Sequence, residues 1–538
     1  MTNTKKSASR PQPSATPSPA SRGAVLAGAP LTEKHARILV VGAGFAGLGT
    51  AIRLLQNGFG DDLLVIERDL EVGGTWRDNT YPGCACDVPS HLYSFSFAPN
   101  PDWSRRFAPQ PEIGAYLRRC ADEFGVRPHI RFGCELQRAE WDHEAQIWRV
   151  ETSRGPLTAD FVVMAQGPLS EPSIPPLPGL GKFAGESFHS ARWDHSLDLS
   201  GLRVGVIGTG ASAVQFIPEI QRKAAHLTVF QRTPSWITPR HDWSIPSWLQ
   251  ILYRKLPALQ RLTRGFEYLS REASVPALMG NKMLRDLGRT SAEDHLKRQV
   301  QDPELRRKLT PDYELGCKRV LLSDNYFPAL TQPNVSVVTD PIRDIDTDRV
   351  RTSPIVGGAV DEHAVDVHAV DVLVFSTGFR VTDASHPRVI FGTGGRSLED
   401  VWQGSPQAYR GSTVAGFPNL FLMAGPNTGL GHNSLIYMIE AQIAYLLSTL
   451  QFMRALRLRS VEVTASTQRE YNADLQERLA PSVWASGGCN SWYKDKENRI
   501  TTIWPDQTWR FRTETSEFDA ENYILITAEN ADATRAPR

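Results

Sequence analysis

The chain has 538 residues, 41% of them hydrophobic and 22% charged, so it is long enough for two to four globular domains. Its 59 lysines and arginines balance 59 aspartates and glutamates, which excludes the global basic charge typical of nucleic-acid-binding proteins. Six cysteines are too few for a disulfide scaffold and match no zinc-ligand spacing, so we expect a cytoplasmic protein without a metal site.

The amino-terminal segment is predicted to form no domain. Residues 1–34 are rich in Ser, Pro and Ala and lack the continuous apolar core of a secretory signal, which predicts a disordered tail. No later stretch reaches the roughly 18 consecutive apolar residues of a membrane span, so no transmembrane segment is expected.

A first dinucleotide site is predicted directly after the tail. "ARILVVGAGFAGLGTAIRLLQNG" reads as strand, turn and helix, with Gly42, Gly44 and Gly47 in the turn. Glycines there allow a tight bend and let the backbone approach a pyrophosphate at the helix N-terminus. A second strand ends in Glu67, about 20 residues on, where a carboxylate accepts hydrogen bonds from ribose hydroxyls.

The following segment, from residue 71 to residue 97, has no regular period. Gly74 suggests close approach of the backbone to a flat ligand, and we expect Thr75, Trp76 and Tyr93 beside it to contact the cofactor. An ordinary surface loop is the alternative. A loop this long with so many aromatic residues is more typical of a cavity wall.

A second strand, turn and helix begins at "GLRVGVIGTGASAVQFIPEI", with Gly208, Gly210 and Ala213 at the turn positions. The strand after it ends in Arg232 and Thr233 and not in an acid. An arginine and a hydroxyl favour the 2'-phosphate of NADPH, whereas a carboxylate would repel it. A purely structural Arg232 is the alternative.

The order of the two predicted folds follows from two matching strands. "DFVVMAQG" and "DVLVFSTG" each end in a small residue and glycine, and each marks a predicted crossing between folds. We therefore predict an FAD-binding domain over 35–168 and 371–538, with an NADP-binding domain over 169–370 inserted into it. We also predict a basic helical subdomain from about residue 246 to residue 310. It would either cap the NADP-binding domain or lie on a membrane surface.

The segment between the two turns carries a family fingerprint. The chain resembles the class B flavin monooxygenases of the Baeyer-Villiger type, whose pattern Phe-x-Gly-x-x-x-His-x-x-x-Trp, followed by Pro or Asp, is met by Phe183, Gly185, His189, Trp193 and Asp194. "YPGCACDVPSHLYSFSF", "GCKRVLLSDNYF" and "GPNTGLGHNS" match the same family. The resemblance covers roughly residues 36 to 504.

The resemblance implies an α/β fold with FAD and NADPH as cofactors and a ketone and O2 as substrates. NADPH would reduce FAD, and a C4a-peroxyflavin would attack the ketone to give an ester or lactone. Arg319 matches the active-site arginine, Asp87 its carboxylate partner, and Lys318 a contact to the nicotinamide cofactor's phosphate region. His189 is implied to couple domain position to catalysis. Asn427 would lie at the start of a helix facing the flavin.

Two other functions remain open from the sequence. A flavin monooxygenase that oxidises sulfur or nitrogen would use the same cofactors, although its fingerprint lacks the Trp-Asp ending. A disulfide reductase would need a CxxC motif beside the flavin, and Cys84 and Cys86 have the wrong spacing. The sequence indicates neither the particular ketone nor the oligomeric state.

Overall fold

The computed structural model describes residues 29–61, 63–356, 359–361, 363–381 and 386–527. Residues 1–28 of the predicted tail lie outside this range. The tail was predicted to extend to residue 34, but the chain is packed before that point. Leu31 is buried and its backbone N–H donates to the carbonyl of Arg154, so the ordered fold has begun by Leu31.

The described chain alternates strands and helices. The strands are β1 (His35–Val41), β2 (Leu63–Ile66), β3 (Ile130–Arg131), β4 (Leu136–Asp142), β5 (Ile147–Thr152), β6 (Gly155–Met164), β7 (Glu186–His189), β8 (Arg203–Ile207), β9 (His226–Phe230), β10 (Ile237–Thr238), β11 (Leu321–Leu322), β12 (Val335–Val338), β13 (Ile342–Asp346), β14 (Arg349–Thr352), β15 (Ile355–Val356), β16 (Ala359–Val360), β17 (Asp366–Ala369), β18 (Val372–Phe375), β19 (Ile390–Phe391), β20 (Leu420–Leu422), β21 (Leu458–Val463) and β22 (Tyr523–Thr527). The α-helices are α1 (Phe45–Gln56), α2 (Thr75–Asp78), α3 (Gln110–Glu123), α4 (Ala211–Gln221), α5 (Ser247–Lys255), α6 (Pro257–Glu272), α7 (Val275–Leu278), α8 (Lys282–Gln299), α9 (Pro303–Leu309), α10 (Tyr326–Leu330), α11 (Leu398–Trp402), α12 (Leu435–Leu456), α13 (Ala465–Leu479), α14 (Val483–Ser486) and α15 (Thr508–Glu514).

The first sheet has the order β19-β4-β5-β6-β1-β2-β3, with β20 also paired to β6. β1 lies between β2 and β6 and runs parallel to both. Every residue of β2 and the last four residues of β1 are buried, as expected for strands covered on both faces. The predicted first dinucleotide fold is therefore present, with α1 following β1.

The second sheet has the order β12-β9-β8-β18-β7, and all its neighbouring strands are parallel. The first fold was predicted to resume at residue 371. That boundary is wrong, because β18 pairs with β7 and β8 in the second sheet. The chain first pairs again with the first sheet at β19, so the return lies after Phe375.

The helices α5 to α9 occupy the predicted helical subdomain, but they do not pack on the second fold alone. The α8 helix contacts β10 and α10, which belong to the second half. In contrast, Gln260 of α6 donates to the backbone carbonyl of Asn100, and Arg264 donates to the carbonyl of His91, both in the first half. The subdomain therefore lies across both halves.

Helix α12 is long and apolar enough to meet the length and hydropathy criteria for a membrane span. Most of the tested window is buried inside the protein, and α12 packs against α1 and α15. This is the environment of a core helix. A buried core helix meets the same length and hydropathy criteria, because it is also long and apolar.

The buried carboxyl group of Glu267 in α6 predicts a pH-dependent stability. Burial raises the pKa of Glu267 from 4.5 to about 7, although the positive charges of Arg106, Arg271 and Arg264 act to lower it. Between these two pH values the unfolded chain ionises while the folded chain keeps the proton. The folded state therefore loses about 3 kcal/mol as pH rises through this window.

Thermal unfolding of Glu267→Gln at pH 5 and pH 8 tests this expectation. The variant should gain stability relative to the parent protein as pH rises, since Gln does not ionise. Glu186→Gln, at an exposed glutamate of β7, is the control and should show no such trend. A difference between Glu267→Gln and the parent that is the same at both pH values would contradict the expectation.

Candidate active site

The first glycine turn is built to receive an anion. Gly42 has φ of 104°, and a Cβ there would lie 2.8 Å from the Ala165 carbonyl oxygen, so only glycine fits. Gly44 is the N-cap of α1 and supplies no side-chain hydrogen bond, while Gly47 lies buried in the first helical turn. The uncapped N–H groups of α1 can therefore bind a pyrophosphate.

Glu67 is buried and holds this turn in place. One carboxylate oxygen accepts from the backbone N–H of Ala43 at 2.8 Å. The other accepts from the N–H of Asp69 and from Arg77 Nη1 at 3.0 and 3.1 Å. The carboxylate of Glu67 was predicted to bind a ribose. In the structure it accepts hydrogen bonds from protein groups and fixes the conformation of the glycine turn.

The aromatic segment after β2 packs against the same turn. Gly74 approaches Gly44 so closely that an added Cβ would lie 3.2 Å from the Gly44 Cα. Thr75 and Trp76 start α2, and Trp76 Nε1 donates to the hydroxyl of Tyr93 at 3.1 Å. These predicted cofactor residues therefore form one wall beside the glycine turn.

The second glycine turn repeats the geometry of the first. Gly208 has φ of 102°, and a Cβ there would lie 2.4 Å from the Ser376 carbonyl oxygen. Gly210 is the uncapped N-cap of α4, and no atom lies within 4 Å of the position of its missing Cβ. Ala213 is buried behind them. Open space in front of α4 fits a second phosphate group.

Two cations lie near the second turn. Arg232 is exposed and follows β9, and Thr233 accepts through its backbone carbonyl from the Thr209 hydroxyl. Burial and the nearby charge of Arg232 lower the pKa of the Lys318 amine. This mutual repulsion would be relieved by a dianion between the two side chains, which fits a 2'-phosphate.

The fingerprint segment packs within the second fold and reaches the first through Arg192, whose Nη1 lies 3.9 Å from Asp78 Oδ2. His189 ends β7, pairs with Phe375 in the second sheet and stacks edge-on with Phe379. Burial lowers the pKa of His189 to about 4, and its Nδ1 accepts from the N–H of Ala191. The ring is thus neutral near pH 7. Trp193 packs on Phe216 of α4, at 5.2 Å between ring centroids.

A glutamine missed in the sequence links the two halves. Gln215 of α4 accepts from the Tyr81 hydroxyl at 3.0 Å and donates to the Ala85 carbonyl at 2.9 Å. Both partners lie in the loop that carries Asp87. The second fold therefore positions this loop of the first fold by direct hydrogen bonds.

Asp87 and Arg319 form a bidentate ion pair between the halves. Arg319 Nε donates to Asp87 Oδ2 at 2.8 Å, and Nη2 donates to Oδ1 at 2.7 Å. The side chains are 26% and 41% exposed, respectively, so the pair borders an opening. A planar fork of this kind fixes the guanidinium plane as well as its distance.

Both members of the pair are charged at neutral pH. Burial alone would raise the pKa of Asp87, but the charge and hydrogen bonds of Arg319 outweigh it and hold the pKa below its ordinary value. Attraction to Asp87 raises the pKa of Arg319 in turn. Arg271 of α6 and Tyr493 also lie close enough to interact electrostatically with this pair.

Asn427 does not begin a helix, contrary to the prediction. It has φ of 54°, and its side-chain amide donates to the carbonyls of Ile500 and Ile503 at 2.8 and 3.0 Å. The helix starts later, at α12, because Ser434 is its N-cap and accepts from the N–H of Ile436. Asn427 therefore braces the loop before α12.

His432 in the same loop has a partner that the sequence could not reveal. Its Nε2 lies 3.5 Å from the carboxylate of Glu272, at the end of α6, and both side chains are buried. Thr508 also donates to this carboxylate, through its N–H at 3.0 Å. The loop before α12 is thus attached to the helical subdomain.

Cys317, next to Lys318 and Arg319, forms a disulfide with Cys489. The two cysteines are 172 residues apart, so no local pattern could pair them. Cys84 and Cys86 are free and buried, and burial raises the pKa of Cys84 to about 12, which excludes a reactive thiolate. Among the described residues, no cluster of three or more potential ligands suggests a metal ion.

Loss of the Cys317–Cys489 bond should destabilise the fold. The bond closes a loop of 172 residues, for which chain entropy gives up to about 5 kcal/mol. Cys489→Ser should therefore unfold at a lower temperature than the parent protein. Adding dithiothreitol should lower the parent's unfolding temperature to that of the variant and leave the variant unchanged. A parent protein indifferent to the reductant would contradict this expectation.

Three comparisons with known proteins agree with this geometry. Residues 39–263 match the family model described as pyridine nucleotide-disulphide oxidoreductase. A Baeyer-Villiger monooxygenase of Streptomyces coelicolor is 49% identical over 92% of this chain and 93% of its own length. A Baeyer-Villiger monooxygenase of Pseudomonas aeruginosa is 47% identical over 95% of each chain.

A solved structure of OTEMO in complex with FAD and NADP is also similar. It has a TM-score of 0.80 and 28% identity, and the match covers 91% of this chain and 99% of that one. The two sequence relatives are 47% and 49% identical and span nearly the whole chain. The chain therefore belongs to the Baeyer-Villiger monooxygenase family.

Proposed function

We propose that the protein is an FAD- and NADPH-dependent monooxygenase that inserts one oxygen atom of O2 next to a ketone carbonyl, giving an ester or lactone. The observation that carries this proposal is the Asp87–Arg319 pair, which holds a fixed cation at an opening between the two dinucleotide folds. A cation there stabilises the negative charge that develops when an oxygen nucleophile adds to a carbonyl. The relatives' family membership supports the same reaction.

The first fold is proposed to bind FAD. The uncapped helix α1 behind Gly42 and Gly44 would hold the pyrophosphate, and the wall of Trp76 and Tyr93 would border the ring system. FAD supplies the redox chemistry and the activation of O2. The domain division follows the sheets, with residues 35–168 and the chain from β19 onward forming the FAD-binding part.

The second fold is proposed to bind NADPH. Gly208, Gly210 and α4 would hold its pyrophosphate, while Arg232 and Lys318 would bind the 2'-phosphate. His189 is proposed as a positioning residue in the fingerprint segment, because its ring stays neutral and its contacts are packing contacts. It would keep the two cofactors correctly placed relative to each other when the halves move.

The proposed partners are a small ketone, with a sulfide as a further substrate, and O2. A cytoplasmic location follows from the need for NADPH. The Cys317–Cys489 bond is unusual for a reducing compartment.

Replacing the active-site cation should separate oxygenation from cofactor binding. Arg319→Ala should retain FAD and its reduction by NADPH but lose ester formation, on the order of 10² to 10³-fold. Gas chromatography of products from a ketone panel, with absorbance of the flavin, measures both. Arg203→Ala, at the Asp371 pair away from the opening, is the control and should keep its activity. Ester formed at the parent's rate by Arg319→Ala would contradict the role of Arg319.

The 2'-phosphate assignment predicts a change in cofactor preference. Arg232→Ala should raise the KM for NADPH about tenfold or more and change the KM for NADH little, because only NADPH carries the 2'-phosphate. Arg222→Ala, at an exposed arginine that follows α4 in the same fold, is the matched control. Steady-state oxidation of both nucleotides is the measurement, and equal effects of Arg232→Ala on the two would remove the assignment.

A further inference from the structure

Helix α6 exposes large apolar side chains, whereas an ordinary surface helix exposes mostly polar ones. Leu262, Phe266 and Leu269 are 70%, 75% and 65% exposed. Their spacing of four and three residues places them on one face of the helix. A helix of a water-surrounded protein normally turns this kind of face toward the core. Here the apolar face is directed outward.

The fully buried side chains of α6 are polar, and hydrogen bonds hold two of them in place. Gln260, Glu267 and Glu272 are all buried. Gln260 donates to the Asn100 carbonyl at 2.7 Å, and the Glu272 carboxylate accepts from Thr508. Rotating the helix to bury its leucines would break these hydrogen bonds. The outward apolar face is therefore fixed by the fold.

The neighbouring helix extends the same surface. Trp248 and Ile251 of α5 and Leu256 at the turn are exposed, and α5 packs against α6 through the Tyr253 and Thr263 hydroxyls at 3.2 Å. We name the combined surface the apolar helical face, and it consists of Trp248, Ile251, Leu256, Leu262, Phe266 and Leu269. A group of exposed large apolar side chains on two packed helices is typical of an interaction site.

Three exposed basic side chains lie on the two helices of the apolar helical face or directly between them. Residues 247–272 hold five basic and two acidic side chains, and both acids are buried. Arg254, Lys255 and Arg261 are exposed, and of these Arg254 pairs with Asp102. The whole chain carries no net charge, so this is a local concentration. Apolar residues flanked by Lys and Arg are typical of helices that lie on anionic lipid.

We propose that α5 and α6 dock the protein on the surface of an anionic lipid membrane, with the apolar helical face buried among the lipid headgroups. A second copy of the chain is a poorer occupant, because a two-fold contact would bury the same face of both copies and so collect the positive charges of Lys255 and Arg261 from both in one interface. The segment 1–28 is also a poorer occupant, since it contains four basic residues and no acidic one.

The docked helix also borders the proposed active site. The inner end of α6 carries Glu272, which contacts His432, and Arg271 lies close enough to Asp87 to lower the pKa of that carboxyl. Docking would therefore place the helical wall of the site at the lipid surface. Binding to lipid itself does not depend on the proposed reaction, so the two can fail separately.

Flotation of the full FAD-loaded chain with lipid vesicles tests the proposal. Vesicles of phosphatidylcholine with phosphatidylglycerol should carry the protein at low salt, and pure phosphatidylcholine vesicles should carry much less. Phe266→Glu should reduce binding about tenfold or more, and Phe266→Trp should retain it. FAD absorbance and the unfolding temperature show that each variant is folded.

Leu456→Glu is the matched control and should bind as the parent does. Leu456 is an exposed leucine at the far end of α12, about 30 Å along that helix from the contact of Tyr437 with Tyr268 of α6. Equal flotation of Phe266→Glu and the parent would overturn the proposal, as would no flotation of the parent. A dimer dissolved by Phe266→Glu, without vesicle binding, would assign the face to a second copy. Flotation only after deletion of residues 1–28 would assign it to that segment.

Discussion

The bidentate pair of Asp87 and Arg319 is the interaction on which the geometry of the site depends. Each partner comes from a different half of the chain, 232 residues apart. The Arg319 guanidinium is oriented by Asp87 only when the halves are in place, because both acceptor oxygens come from the other half. The cation that the reaction needs is therefore available only in the assembled arrangement.

Several other contacts help to position the Asp87–Arg319 pair. Gln215 holds the loop of Asp87 from the second fold, and Trp193 packs the fingerprint segment on α4. On the side of Arg319, the Cys317–Cys489 bond attaches its loop to the carboxyl-terminal segment. The position of the cation is thus determined by long-range contacts, while each glycine turn is determined by its own local sequence.

This difference explains what the sequence could predict. The turns at Gly42 and Gly208 were predictable because strand, glycines and helix are adjacent in the chain, and β18 was recognised as a strand for the same reason. Its membership of the second sheet was not predictable, since pairing partners are chosen by tertiary packing. The partners Glu272 and His432 lie 160 residues apart, and neither has a local signal. The Asp87–Arg319 pair was predicted only through the family resemblance.

A double-mutant cycle on Asp87 and Arg319 tests the central claim most directly. Asp87→Ala, Arg319→Ala and the double variant are compared by kcat/KM for ester formation, after confirming that each binds FAD. If the pair acts as one unit, the double variant should be little worse than Arg319→Ala, with a coupling free energy of about 2 kcal/mol or more. Losses that multiply, as for two independent residues, would contradict the account.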